Sequence, residues 1–256
     1  MKKAHCFFLG VILALFNVSK SIAQDIEWSN TSKHSILLKS QFFQIKDELN
    51  YGLTFSGINL MLGYDYSTTA GKKNLSYSPE LGFGANFNIG TGLAWRFKPI
   101  HFTYTFKVKN RGLTVGGYFA TDYQWQQYSE LQGGRLFWFH TIELGPMITY
   151  ITPFTTKNIR ICISNSFAGF TSRPNQKIES YYYSLSLSEF ISTTHRNLEF
   201  GLVNLFNRSK LSVDLIRGPK KRLSFGYEFE YFGYFNDPGL SYLNHGLSLR
   251  WKIGNL

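Results

Sequence analysis

The sequence predicts an all-β chain closed into a transmembrane, antiparallel, up-and-down β-barrel, and three observations carry that expectation. Residues 222–236, RLSFGYEFEYFGYFN, set Leu223, Phe225, Tyr227, Phe229, Tyr231 and Phe235 against Ser224, Gly226, Glu228 and Glu230. Alternate side chains of a strand point to opposite faces, so one face of this segment is aromatic and the other carries carboxylates. The same alternation recurs down most of the chain. Aromatic residues are 18% of the sequence, yet mean hydropathy is slightly negative. A barrel reconciles the two, because one face of each strand meets lipid and the other meets water.

The elements follow in chain order. Lys2 and Lys3, an apolar run from Cys6 to Phe16, and Ser21-Ile22-Ala23 ahead of Gln24 form the pattern of a cleaved secretory leader. The run is far shorter than the roughly 20 residues of a spanning helix, so residues 1–23 are expected to be a signal peptide, with a retained anchor as the alternative. Residues 24–256 then form one barrel domain. Cys6 precedes the apolar run, which argues against lipidation. Cys162 is the one cysteine left after cleavage, so no intramolecular disulfide can form.

Alternation marks 58–66, 102–108 and 113–125. From Leu81 to Phe97 the apolar phase runs through Asn88-Ile89-Gly90-Thr91-Gly92, which is either a hairpin turn or a glycine-weakened strand. Residues 136–150 oppose Leu136, Trp138, Ile142, Leu144, Ile148 and Tyr150 to Phe137, Phe139, Thr141, Glu143, Gly145 and Thr149. Residues 159–167 oppose Ile159, Ile161, Ile163 and Phe167 to Arg160, Cys162, Ser164 and Ser166. Residues 181–188 (YYYSLSLS), 198–202 and 211–215 are further strands, the last two with Glu199 and Asp214 on the polar side. Turn chemistry lies between them at Asn110-Arg111-Gly112, Thr152-Pro153 to Asn158, Arg173-Pro174-Asn175, Arg217-Gly218-Pro219 and Asn236-Asp237-Pro238-Gly239. The expected count is about twelve strands, or ten if the glycine-rich stretch is read the other way, since single-chain barrels have an even number.

The chain ends in LNHGLSLRWKIGNL, with Leu247, Leu249, Trp251 and Ile253 on one face and Ser248, Arg250 and Lys252 on the other. In this last strand the chain resembles Gram-negative outer-membrane β-barrel proteins. It departs from their usual terminal aromatic residue, because Gly254-Asn255-Leu256 runs beyond the last in-phase aliphatic. The resemblance implies placement in a bacterial outer membrane, biogenesis through the barrel assembly machinery, and outer-membrane lipid and glycolipid as partners. The formal charge of +11 suits anionic phosphates. Nucleic acid is not an expected partner, as the chain carries an export signal and no nucleic-acid motif.

The polar faces supply candidates for the barrel interior: Arg96, Lys107, Thr141, Glu143, Arg160, Glu199, Asp214, Glu228, Glu230, Arg250 and Lys252. Charges withdrawn from water are tolerated when paired. These residues therefore either pair across strands and fill the barrel, or line a channel that selects small solutes. A barrel of this strand number lies between filled and open. Glu228 and Glu230, two apart on one face, suit acid–base work or cation binding, but Arg250 and Lys252 on the following strand are their natural partners. No metal-binding or cofactor motif is found.

The resemblance also raises a lipid-modifying enzyme, lipid A deacylase-like or phospholipase-like, with His and Ser aided by Glu or Asn on the lipid-accessible surface. His140, His245 and Asn165 lie on strand faces, but Ser248 is on the face opposite His245, and no His and Ser set is visible. The basic clusters Lys72-Lys73 and Arg217 to Arg222 are either lipid-phosphate contacts or solvated turns, with sidedness set by strand parity. The expected role is non-catalytic: passage or binding of small polar solutes, or a structural part of the envelope. A soluble secreted β-protein, hiding its apolar face inside, is the architectural alternative.

Overall fold

The computed structural model describes residues 31–50, 52–88, 91–108, 112–128, 136–154, 157–174, 195, 197–216 and 222–255. The leader and the strand expected at 181–188 lie outside them. β1 (Thr31–Asp47) pairs antiparallel along its length with β2 (Thr54–Ala70) on one side and with the last strand, β14 (Leu240–Asn255), on the other. β2 carries β3 (Lys73–Tyr77) and β4 (Glu80–Asn86) end to end, and these pair with β6 (His101–Lys107) and β5 (Gly92–Lys98). Both of those pair with β7 (Leu113–Tyr128), which pairs with β8 (Leu136–Phe154). β8 carries β9 (Lys157–Asn165) and β10 (Ala168–Ser172), which meet β12 (Phe206–Ile216) and β11 (Glu199–Leu202). β13 (Leu223–Tyr234) joins β12 to β14 and closes the ring.

The 14 strand segments make 10 staves, because four staves are each split into two. Ten is the lower of the two counts that the sequence left open. The glycine-rich stretch near 88–92 is a hairpin between β4 and β5. The count falls because β5 and β6, and likewise β11 and β12, lie end to end on one stave each. Two of the splits fall at Pro79 and Pro99, which have no N–H for the ladder. Backbone bonds carry the wall across them: Ser78 N donates to His101 O at 3.0 Å and Thr121 N to Ile100 O at 2.9 Å. At Ser166–Phe167 the bridge is Ser166 N to Arg208 O at 2.8 Å.

Connections differ at the two ends. The connections at 71–72, 108–112, 155–156 and 217–222, two to six residues long, share one end with residues 31 and 255, whereas those at 48–53, 87–91, 129–135, 173–198 and 235–239, five to 26 residues long, share the other. We call these the short-turn and long-loop ends.

The alternation sorts the residues inside out relative to a soluble protein. Outward-facing Leu60 and Leu247 are 61% and 68% exposed, while inward-facing Arg96 and Arg208 are 1% and 0% exposed. The first strand was not legible from sequence. Ile36, Leu38 and Phe42 face outward while Leu37, Phe43 and Ile45 face inward, so both faces are apolar and no two-residue rhythm shows.

At the seam between β1 and β14, a Cβ on Gly246 would stand 2.1 Å from the Ser40 carbonyl oxygen and 2.6 Å from the Gln41 Cα. Backbone cannot give way as a flexible side chain can. Gly246→Val is therefore expected to prevent closure, read as loss of the heat-modifiable compact form on cold gel electrophoresis, while Leu247→Val on the outward face keeps it.

Candidate functional site

The interior is filled in layers, and the first lies at the long-loop end. Phe139 of β8 stacks on Phe232 of β13, with centroids 5.5 Å apart and planes 3° from parallel. Phe206 meets Phe232 edge-on at 5.5 Å, and Tyr242 of β14 meets Phe139 at 5.6 Å. β8 and β13 are not neighbours in the wall, so these contacts reach across the barrel. Phe55 of β2 and Tyr128 of β7 do the same at 4.1 Å.

Beneath the aromatic layer stand two guanidinium groups. Arg96 donates to Asp122 at 2.6 Å and to Glu230 at 2.6 Å, and its Nη1 donates to the Tyr242 hydroxyl at 3.0 Å. Arg208 is ion-paired with Asp122, and lies 3.3 Å from carboxylate oxygens of both Glu143 and Glu230. The guanidinium of Arg208 also lies over the Phe232 ring at 4.9 Å, and that of Arg96 over Tyr242 at 5.3 Å. Cation–π contact thus joins the two layers.

Further along the axis, Lys39 Nζ is 2.7 Å from Glu80 and 2.7 Å from Glu228. Lys98 lies 3.7 Å from Glu80 and 3.8 Å from Glu230, and Lys210 lies 3.1 Å from Glu143. Towards the short-turn end, Arg160 pairs with Asp214 at 2.8 Å and Arg250 with Asp65 at 2.8 Å. Here the side chains of Arg160 and Asp65 are 31% and 21% exposed, so this end of the interior is open to water. Each of these interior carboxylates has a cation beside it.

The charged candidates from the sequence fall into three groups, and Thr141 is buried beside Glu143 on the inward face of β8. Arg96, Glu143, Arg160, Asp214, Glu228, Glu230 and Arg250 belong to these networks. Lys107 and Lys252 are half-buried near the short-turn end, in register with Thr114 and Ser35. Glu199 is exposed at the long-loop end, where it accepts a hydrogen bond from the Tyr234 hydroxyl.

The expected pairing of Glu228 and Glu230 with Arg250 and Lys252 is corrected. The antiparallel register sets Gly246 and Asn244 opposite the two acids and Ser224 opposite Arg250. The acids are met instead by Lys39 and Arg96, from β1 and β5. Lys39, Glu80, Lys98, Asp122, Arg208 and Lys210 were not singled out from sequence. Their inward phase was available as a signal, and Lys98 stands directly opposite Glu80 in the β4–β5 ladder, but Lys39, Arg208 and Lys210 find their partners on staves that are not adjacent.

The outward face brings together a pair that sequence reasoning missed. Ser172 stands in register with His140 in the β8–β10 ladder. The His140 ring lies 4.7 Å from Tyr123, 5.1 Å from Trp125 and 5.6 Å from His195. His140 and Ser172 are 2% and 0% exposed, shielded from the surroundings. Asn165 belongs to another cluster, donating to Asn207 at 2.9 Å and Ser209 at 2.7 Å. His245 faces outward among Phe42 and Tyr227, at 5.5 and 6.2 Å.

No family model and no curated protein matches the chain. Among solved structures, the translocator domain of the autotransporter NalP from Neisseria meningitidis is 8% identical, with 98% of this chain and 96% of that one covered and a TM-score of 0.39. The outer membrane protease OmpT from Escherichia coli is 7% identical, with 92% and 100% covered and a TM-score of 0.40. The NanC porin is 11% identical, with 82% and 98% covered and a TM-score of 0.30. Likeness this distant carries no activity or residue role to this chain.

Removing one member of a buried ion network leaves its partners uncompensated, at a cost of about 3–5 kcal/mol. Arg208→Met is expected to show a loss of that size in urea unfolding of the refolded protein. Adding Glu143→Gln is expected to recover part of it, as one stranded charge is removed.

Proposed function

We propose that this protein is an outer-membrane barrel whose interior is a closed scaffold, serving as a structural component of the envelope instead of a solute pore. The membrane reading rests on the outward face. Leu38, Leu60, Leu62, Phe83, Leu93 and Leu247 are each at least half exposed around the wall, which in water would be a continuous apolar liability and in lipid is the favoured state. The backbone agrees, since a closed ring of antiparallel strands leaves no unpaired edge for the hydrocarbon. Short turns at one end and longer loops at the other match the periplasmic and external ends of such barrels.

The observation that carries the closed-scaffold reading is the double layer across the long-loop half. The aromatic stack has Phe206, Phe232 and Tyr242 at 0% exposure, with Arg96 and Arg208 at 1% and 0% directly below. A conducting path needs a continuous column of water, and residues this buried leave none at that level. The water-accessible stretch from Arg160 to Asp65 opens towards the short-turn end and ends at the network.

In planar bilayers the refolded protein, verified by heat-modifiable migration, is expected to give no stable single-channel steps. Phe139→Ala/Phe232→Ala is expected to remain closed as well, because the ion network below is untouched. Regular open steps from the wild-type chain, altered in ion selectivity by charge reversal at Glu228 or Arg250, would overturn the closed reading in favour of a pore.

A further inference from the structure

The cations of the short-turn end come from separate parts of the sequence and meet in space. Lys107 N donates to the Lys72 carbonyl at 2.9 Å, which sets Lys107 beside the exposed pair Lys72 and Lys73. Elsewhere on the ring, Lys252 N donates to the Arg222 carbonyl at 2.8 Å. Lys252 is in register with Ser35, close to Lys33, and both Lys33 and Arg222 are exposed. Lys157 begins β9 at the same end.

Among the described residues, carboxylates are missing from the rim of this end; Asp25 and Glu27, ahead of β1, lie outside them. No Asp or Glu occurs at 66–79, 81–121, 144–178 or 215–227, the stretches that contain its four connections, or after Asp237. The nearest acids, Asp65 and Asp214, face inward and are held at 2.8 Å by Arg250 and Arg160. The long-loop end differs, with Asp47, Glu48, Glu199 and Asp237 among its described residues. Since the interior charges are matched, the positive excess of the chain falls largely on the short-turn rim. Outward-facing aromatics occupy the same end of the wall: Trp251, 54% exposed, precedes Lys252 on the opposite face of β14, and Tyr104, 42% exposed, lies three residues before Lys107. Aromatic residues flank the apolar band of a barrel at the headgroup level.

We propose that this rim binds the anionic headgroups of phospholipids in the adjoining leaflet, an inference that rests on the membrane-barrel reading above. Short turns mark the periplasmic end, so the lipid is a phospholipid of the inner leaflet and not the glycolipid that composition alone suggested. Clustered Lys and Arg at a membrane surface attract anionic lipid, each cation contributing roughly a five-fold gain in affinity at low salt. The exposed ammonium and guanidinium groups donate to phosphate oxygens, while the neighbouring Trp251 and Tyr104 hold the rim at headgroup depth.

The test uses the refolded protein in bilayers of phosphatidylcholine with either brominated phosphatidylglycerol or brominated phosphatidylcholine as a fluorescence quencher. The signal of Trp251 is isolated by difference against Trp251→Phe. Phosphatidylglycerol is expected to quench Trp251 preferentially at low salt, with the preference shrinking as salt rises. Lys33→Gln/Arg222→Gln is expected to reduce the preference several-fold, while Lys46→Gln at the opposite end leaves it unchanged. Equal quenching by the two lipids in the wild type, or a preference untouched in the double variant, overturns the proposal. Salt-sensitive co-sedimentation with peptidoglycan through Lys33 and Arg222, without lipid preference, assigns the rim to the wall polymer and overturns it too. Absence of quenching by either lipid means that the chain does not insert, and overturns the membrane-barrel reading and the proposal together.

Discussion

Arg96 and Arg208 share Asp122 and Glu230 near the barrel axis, and the rest of the architecture depends on that shared pairing. A guanidinium group withdrawn from water is expensive unless its donors are met by carboxylates in good geometry. Here the acids come from β7 and β13 and the bases from β5 and β12, so the charges are brought together only when staves from around the ring are in place. Aromatic rings then cover the network from the long-loop end. Lys39 extends it to β1, and Lys210 and Glu143 tie in β12 and β8. The outward apolar face adds no such specificity, because in the lipid setting proposed above Leu, Phe and Val serve in any order.

Part of this was legible in the sequence and part was not, for physical reasons that individual residues illustrate. The strand at 222–236 and the last strand alternate cleanly because they carry charge on one face and apolar bulk on the other, and both are staves of the barrel. β1 was invisible because its inward face holds Leu37, Phe43 and Ile45 beside Lys39 and Gln41, which breaks the two-letter pattern. The candidates Arg96, Glu143 and Glu230 were identifiable from their phase, but their partners were not. Partner choice depends on register and on distance across the barrel. Glu230 is opposite Asn244 in its own ladder, yet is met by Arg96 from β5. Ser172 and His140 show the same limit on the outward face, since strand phase says nothing about which residue of the next strand stands opposite.

The split staves explain why alternation fades in the middle of the chain. Between β5 and β6, around Pro99, the inward phase shifts from Arg96 and Lys98 to Thr103 and Thr105. Between β9 and β10 it shifts from Ser164 and Ser166 to Thr171. An extra residue in one strand produces such a shift and bends the wall locally. A periodicity read across the break cancels, although each half alternates well.

The ladder that joins the first strand to the last has a consequence for how the chain reaches its final form. The side chain of Gln41 accepts from Asn244, 203 positions away in sequence, and Lys39 reaches Glu228 across 189 positions. Contacts of such separation are slow to form, because loop-closure entropy is lost before they reward it. Local hairpins can arise early, but they present unpaired charges and open strand edges that hydrocarbon does not tolerate. On the membrane reading proposed above, insertion and ring closure are therefore coupled: the barrel enters the bilayer as a nearly completed ring or with its free edges held by another surface.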